Sequence, residues 1–535
     1  MIPGVPVHIT PLTPLAFLER SASVFAERTA VVDGEDRATY AELATEVTRA
    51  AHALRASGVS PGDRVAYLCP NARALLVAHF AVPLAGAVLV AINTRLAPEE
   101  VRGICAHSGA RLLVADAELS ATVAPVIDRL DHIDEVVWSG GASPPDLRGT
   151  AYADLLARGS DEPIAWTVDD EDATISINYT SGTTGSPKGV MYTHRGAYLN
   201  ALGENVTAGH GPDTVYLWTL PMFHCNGWCH PWAITAAGGT HVCLRAVRGD
   251  AVWRLIDEEG VTHLNGAPAV LSMLVNAPEA HPLERGLVVM TAAAPPNPTV
   301  LAQTEALGAR VVHVYGLTET YGPHTVCQWQ VGWDDEEPEA LARLLSRQGV
   351  AMVMADPIRV VDEAGRDVPW DGETVGEIVM TGNNVMKGYH DDPAGTAEAF
   401  RGGVFHSGDL GVWHPDGYIE LRDRAKDIVI SGGENISTIE VEQAINGHPA
   451  VLEAAVVGVP DDRWGERPKA FVVLRPGATP PDADALAAHV RDQLAGYKCP
   501  DRFELVDELP RTSTGKVRKY ELREREWAGR ESRIN

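Results

Sequence analysis

From Tyr179 to Gly189 the chain reads Tyr-Thr-Ser-Gly-Thr-Thr-Gly-Ser-Pro-Lys-Gly, a segment crowded with glycines and hydroxyl side chains and carrying one lysine. Such a turn between two strands can aim backbone N–H groups and hydroxyls at phosphate oxygens, while the lysine supplies charge. Thr180, Ser181, Gly182, Thr183, Thr184, Gly185 and Lys188 are therefore candidate phosphate contacts. The segment is not the common P-loop, which needs Gly-Lys-Ser/Thr; here Pro187 precedes the lysine and Gly189 follows it.

Further chemistry-bearing residues lie downstream. The run Val314-Tyr315-Gly316-Leu317-Thr318-Glu319 ends in a carboxylate, and Mg2+ takes oxygen ligands that it shares with substrate phosphates. His406-Ser407-Gly408-Asp409, read as the end of a strand, offers an acceptor-only carboxylate suited to a diol with two donors. Leu509 to Lys516 sets a lysine on a Ser/Thr/Gly turn. His224, Cys225, Cys229 and His230 fall within seven residues and invite a zinc reading. Their adjacent His-Cys and Cys-His pairs do not match the usual C-x2-C or H-x3-H spacing.

Taken in order, these segments resemble the motifs of the adenylate-forming superfamily: acyl-CoA synthetases, luciferases and peptide-synthetase adenylation domains. The resemblance covers about the whole chain. It implies that Tyr315 stacks on adenine, Thr318 contacts the α-phosphate, and Glu319 with Thr184 holds Mg2+. It implies that Asp409 bonds both ribose hydroxyls and that Arg424 contacts the nucleotide, with Ala293, Ala294, His313 and Gly316 completing that set. Lys516 matches the lysine that bridges carboxylate and α-phosphate during adenylation; a cation between two approaching anions stabilises that transition state. Lys426 occupies the hinge position, and Ser431, Gly432 and Gly433 match the loop that lines the pantetheine channel after lid rotation. The acyl pocket is expected from His224, Asn226, Trp228, Gly266, Thr291 and Ala292, with His224 near the carboxylate and Trp228 gating the tunnel.

One segment departs from the family's commonest pattern. In Thr291-Ala292-Ala293-Ala294-Pro295 alanines stand where a glycine pair usually precedes Ala-Pro, and the added Cβ atoms favour a smaller acyl group. The string from His313 to Pro323 is similar to a subgroup that holds plant short-chain acyl-activating enzymes and bacterial methylmercaptopropionate-CoA ligases.

The elements that must position these residues follow from the apolar pattern. Ala173 to Asn178 alternates polar and apolar residues, as a strand does. Val65 to Leu68 reads as a short strand, followed by Asn71 as the N-cap of a helix through Leu84. The nearly apolar stretch Ala74 to Ile92 is interrupted by His79, Pro83 and Gly86, and so reads as a buried helix breaking into a buried strand rather than a membrane span. This alternation argues α/β architecture. After the charged knot at Leu421 to Asp427 come strands at Ala454 to Val459 and Ala470 to Leu474, then a helix from Asp482 with Leu486, Val490 and Leu494 on one face. The expected fold is α/β: an N-terminal domain over 1–423 of stacked α/β subdomains with a small β-barrel-like subdomain, and a small mobile α+β lid over 424–535.

Composition excludes other classes. At 535 residues the chain exceeds one hydrophobic core. A formal net charge of −28 disfavours nucleic acid and anionic membranes, so a phosphate site must be built locally. Seven irregularly spaced cysteines give no disulfide framework, and no signal peptide is read; a cytoplasmic enzyme is expected, with a homodimer admissible.

The resulting expectation is an acyl-CoA ligase using ATP, Mg2+ and coenzyme A on a short or compact carboxylic acid. Three alternatives stay open: loading of the acyl group onto a carrier protein, adenylation of an oxyanion such as nitrite to diazotise an aryl amine, and a catalytically dead binding module. Intact Lys188, Glu319, Asp409, Arg424 and Lys516 argue against the last.

Overall fold

Strands buried on both faces organise the molecule. The computed structural model describes residues 8–180, 187–292, 298–424, 427–431, 434–461, 464–512 and 516–528. Among them, two large sheets of nine and eight strands fill the N-terminal part. Helices cover both faces of these sheets, so a strand such as Val88–Ala91 is buried at every position. The expected barrel-like piece is a four-stranded antiparallel sheet formed by Arg359–Val361, Gly376–Met380, Phe405–Trp413 and Ile419–Arg424. A further five-stranded sheet, built on the long hairpin Val451–Asp461 and Gly465–Leu474, lies in the C-terminal unit.

The α/β reading holds, with a large N-terminal region and a small C-terminal one. That small unit has a core of its own, in which Val441, Ile445, Val456, Val472, Leu486 and Val490 are fully buried or nearly so. The strand Ile419–Arg424 runs one residue beyond the expected division at 423.

Nine elements carry the site: α1 (Arg73–Leu84), β1 (Thr174–Thr180), β2 (Lys188–Thr193), α2 (His194–Ala208), β3 (Ala309–Leu317), β4 (Gly388–Tyr389), β5 (Phe405–Trp413), β6 (Ile419–Arg424) and α3 (Thr438–Asn446). Two readings of the sequence need correction here. Asn71 does not cap α1, whose N-cap is Ala72. The Asn71 amide is instead consumed by a distant loop: it donates to the Trp218 and Leu220 carbonyls at 2.7 and 3.0 Å and accepts from the Met222 N–H at 2.7 Å. The segment His406 to Asp409 opens β5 rather than ending a strand. The helix Ala483–Arg491 does begin with Asp482 as its N-cap, accepting from the Ala485 N–H at 2.7 Å, and buries Leu486 and Val490.

Candidate active site

The pairing of β1 with β2 sets Thr180 opposite Lys188, so the hydroxyl-rich loop leaves and returns at one point of a sheet. Ser181, Gly182, Thr183, Thr184 and Gly185 lie outside the described residues, as do Ala293, Ala294, Lys426, Gly432 and Gly433. From β2 the Lys188 ammonium stands 4.5 Å from the centre of the Tyr389 ring. The Tyr389 hydroxyl donates to Glu319 Oε1 at 2.9 Å, so β4 ties the loop lysine to the expected metal-binding carboxylate. Burial and the Glu319 charge push the Tyr389 phenol up, so it stays protonated and donates. The Glu319 carbonyl accepts from the Met386 N–H at 2.7 Å and the Thr318 carbonyl from the Tyr192 hydroxyl at 2.6 Å. Tyr192 in turn stacks on Tyr321 at 3.9 Å.

Two residues expected around the nucleotide converge on the carboxylate of a third. Asp409 pairs with Arg424 in the register of β5 and β6, and its Oδ1 lies 3.0 Å from Arg424 Nε. The Tyr315 hydroxyl donates to Asp409 Oδ2 at 2.7 Å. Asp409 is buried, and its Oδ1 makes no properly angled hydrogen bond, which leaves acceptor capacity. Gly266, Thr291 and His313 are register partners across three parallel strands; Gly266 and Thr291 are the carboxyl ends of theirs, where open α/β sheets bind ligands, and His313 lies midway along β3. Gly316 must be glycine, since a Cβ there would stand 1.9 Å from the Gly322 carbonyl oxygen. The His313 Nδ1 donates to the Leu345 carbonyl at 3.2 Å, and burial pushes its pKa down to about 4.

Among the described residues, positive φ at non-glycine positions gathers in the segment expected to wall the acyl pocket. Cys225, Asn226, Gly227, Trp228 and Cys229 all have φ between 41° and 61°, forming one left-handed turn. Each non-glycine residue held there costs about 1–2 kcal/mol, so the four of them store roughly 4–8 kcal/mol. Buried hydrogen bonds offset that strain. Asn226 Oδ1 accepts from Ser176 Oγ at 2.5 Å and Asn178 Nδ2 at 2.6 Å, and its N–H donates to Asn178 Oδ1 at 2.9 Å. Asn226 Nδ2 donates to His79 Nε2 at 3.0 Å, and His79 Nδ1 donates to the Leu75 carbonyl within α1 at 2.7 Å.

At the other end, His230 Nδ1 donates to the Trp228 carbonyl and its Nε2 accepts from Asn265 Nδ2, both at 3.0 Å. Two neutral histidines thus clamp the turn; burial pushes His79 down to about 4 and His230 down to about 3. With both nitrogens engaged, His230 is unavailable to zinc. Asn226, expected to line the acyl pocket, is fully buried and acts instead as the strut that holds the turn. The alternation seen in Ser176 and Asn178 therefore marks buried partners of Asn226, not a solvent-facing edge.

Trp228, on the same turn, is buried. Its indole lies against Gly322, where a Cβ would come within 2.6 Å of Cδ1. Leu220, Met290, Ala292, Val312 and Met352 share that apolar cluster. His224 is half-buried at the start of the turn, and its pKa is pushed down to about 4 by burial and by the Lys516 charge. The charge of the last motif is therefore felt at the start of the turn. Lys516 sits on a tight turn, its carbonyl accepting from Thr512 N at 2.7 Å and its N–H donating to Thr512 Oγ1 at 3.0 Å.

The C-terminal unit meets the large region through β6 and α3. Asp423 Oδ2 accepts from the Thr438 N–H at 2.6 Å and hydroxyl at 2.7 Å. Lys519 Nζ donates to the same hydroxyl at 2.6 Å and pairs with Glu442 at 2.8 Å. Ser431 ends the strand Val429–Ser431, paired with Glu434 and Gly465.

Sequence reading overlooked Tyr389, His79 and the His230–Asn265 pair. His79 carried the one available signal, a lone polar residue in an apolar helix.

A family profile described as "AMP-binding enzyme" matches residues 18–390, and one described as "AMP-binding enzyme C-terminal domain" matches residues 440–516. The chain is 44% identical to an acetate/butyrate–CoA ligase of Arabidopsis thaliana, named peroxisomal, covering 98% of this chain and 96% of that one. It is 43% identical to a 2-methylpropanoate–CoA ligase of Humulus lupulus, covering 97% and 96%. The ATP-bound structure of MatB from Rhodopseudomonas palustris superposes with a TM-score of 0.83 at 30% identity, over 96% of this chain and 98% of that one. Matched over most of its length by sequence, domain order and fold, the chain belongs to the AMP-binding, adenylate-forming enzyme family.

Proposed function

We propose that the chain ligates a short or compact carboxylic acid to coenzyme A through an acyl-adenylate. The observation that supports this reading is that the Lys516 charge acts on His224, so the lysine of the last motif and the histidine before the left-handed turn share one electrostatic environment. In the first step the acid's carboxylate oxygen attacks the ATP α-phosphorus and pyrophosphate leaves. Lys516 draws the two anions together, and a preorganised cation of this kind is worth about 3–4 kcal/mol in the transition state. His224 stays neutral beside Lys516, so it orients the carboxylate without adding charge. Asp409 holds the ribose, and Arg424 and Tyr315 fix Asp409. In the second step the lid turns and the CoA thiolate attacks the acyl carbon, releasing AMP.

Glu319 suits Mg2+: it is a hard oxygen donor, oriented by Tyr389, in the short helical turn that follows β3. With Thr184 it would hold the ion, which supplies charge neutralisation of the phosphates. Trp228 and Ala292 support a short acid. A reducing, cytoplasmic location belongs to the same proposal and is supported by seven free cysteines.

The test is pyrophosphate release across acids from acetate to palmitate, followed by AMP release on adding CoA. Release that needs a carrier protein would replace the acceptor; release with nitrite and an aryl amine, but with no carboxylic acid, would overturn the reading.

A further inference from the structure

Beyond the left-handed turn, the interior holds polar side chains that lack partners. Asn200 and Glu204 lie four residues apart, on one face of α2, and both are fully buried. Neither carboxyl oxygen of Glu204 and neither amide atom of Asn200 makes a hydrogen bond among the described residues; Asn200 has only the weak Cys229 thiol beside it. The Tyr216 hydroxyl and both ring nitrogens of His210 are unpartnered in the same way. These groups are contiguous. Glu204 acts on the Tyr216 phenol, His210 stands edge-on to the Tyr216 ring at 6.2 Å, and Glu204 neighbours Cys229. Buried polar groups are nearly always bonded, so four together mark a place built for something that bonds.

The turn links this group to the reacting end. At its start Cys225 Sγ lies 3.5 Å from Thr318 Oγ1; at its finish Cys229 lies beside Glu204 and Asn200. Cys225 and Trp228 share one apolar cluster with Met290, Ala292 and Ala208, and Ala208 ends α2 four residues after Glu204.

We infer that Glu204, Asn200 and Tyr216 form a polar end to the acyl pocket, which selects short acids carrying a hydroxyl at the tail. This rests on the ligase reading. Burial keeps Glu204 protonated and His210 neutral, so the compartment offers donors and acceptors but no charge. A charged tail would be buried without a counter-ion, and a methyl tail would leave the polar groups unpaired. A hydroxyl satisfies both a donor and an acceptor.

The experiment compares kcat/KM for isosteric pairs: 3-hydroxypropionate with butyrate, 4-hydroxybutyrate with pentanoate, and 5-hydroxypentanoate with hexanoate. A site built to bond a hydroxyl rejects the analogue lacking it, so the wild type should favour the hydroxy acid by at least about tenfold at one length. Glu204→Leu should abolish that preference, while Glu204→Gln, which keeps a donor and an acceptor, should retain it. The wild-type comparison needs no folded variant. Preference for the alkanoate at every length would mean that the compartment holds water only and would overturn the inference. A hydroxy preference that survives Glu204→Leu would overturn it too. Failure of every acid, acetate included, to release pyrophosphate would sink the ligase reading itself.

Discussion

Tyr389 and Glu319 are joined at 2.9 Å, phenol to carboxylate, although 70 residues separate them. The bond fixes the rotamer of the one described side chain expected to hold Mg2+, and the same ring carries Lys188 on its face. A hydrogen bond to a charged group contributes about 1.5–3 kcal/mol. Tyr389→Phe should therefore lower kcat/KM for Mg-ATP by roughly tenfold or more, by the energy scale of that bond. Tyr389→Leu should lower it further, because the surface beneath the ammonium is lost as well. Pyrophosphate-release kinetics against Mg-ATP check both; a Tyr389→Phe variant equal to wild type would show that the bond is passive.

The Lys516 charge helps to hold His224 neutral. Lys516→Ala should suppress acyl-AMP formation by about 10²–10³-fold, the usual loss for a transition-state stabilising group. Thioester formation from supplied acyl-AMP should survive. Assaying the half-reactions separately decides this; equal loss in both would remove the two-step division of labour.

The histidine clamp has a pH signature. His79 titrates near 4 in the native protein and near 6.5 when unfolded. Between those values the unfolded chain binds a proton that the native one does not, so stability falls as pH is lowered through that window. One such histidine contributes a slope of up to about 1.4 kcal/mol per pH unit. His79→Gln should be less stable at pH 7.5, yet should lose less on going to pH 5. Urea unfolding at the two pH values measures this, and an unchanged slope would mean that His79 is not the group responsible.

Trp228 closes the apolar wall against Gly322. If the indole is the plug, Trp228→Ala should extend the accepted chain by several carbons, since overpacking cannot be relieved without moving the wall. The kcat/KM series from acetate to palmitate, wild type against variant, tests it; efficient palmitate turnover by the wild type would end the short-acid reading.

The motifs were legible because each is local: Asp482 caps its helix, and the segment after Thr180 carries its hydroxyls in sequence. Asn226 was not legible. A polar residue beside Trp228 reads the same whether it faces a ligand or partners 48 and 147 residues away. Asn71 misled for a related reason: its place before α1 suited a cap, but residues 218–222 had taken its amide. Tyr389 sits in an ordinary Lys-Gly-Tyr strand end, and nothing local marks a side chain whose partners, Lys188 and Glu319, lie far back along the chain.

Asp423 and Arg424 are neighbours on β6, and successive strand residues face opposite ways. Arg424 reaches toward Asp409 while Asp423 grips the first turn of α3. The C-terminal unit is thus tied to β6 by buried hydrogen bonds. Rotating it away from this position means pulling Thr438 off a carboxylate that is otherwise buried, and the strand that must let go is the one bearing the nucleotide-side arginine. One peptide unit thus carries both the grip on the C-terminal unit and the arginine that faces Asp409, so a change of backbone there would be felt at both places.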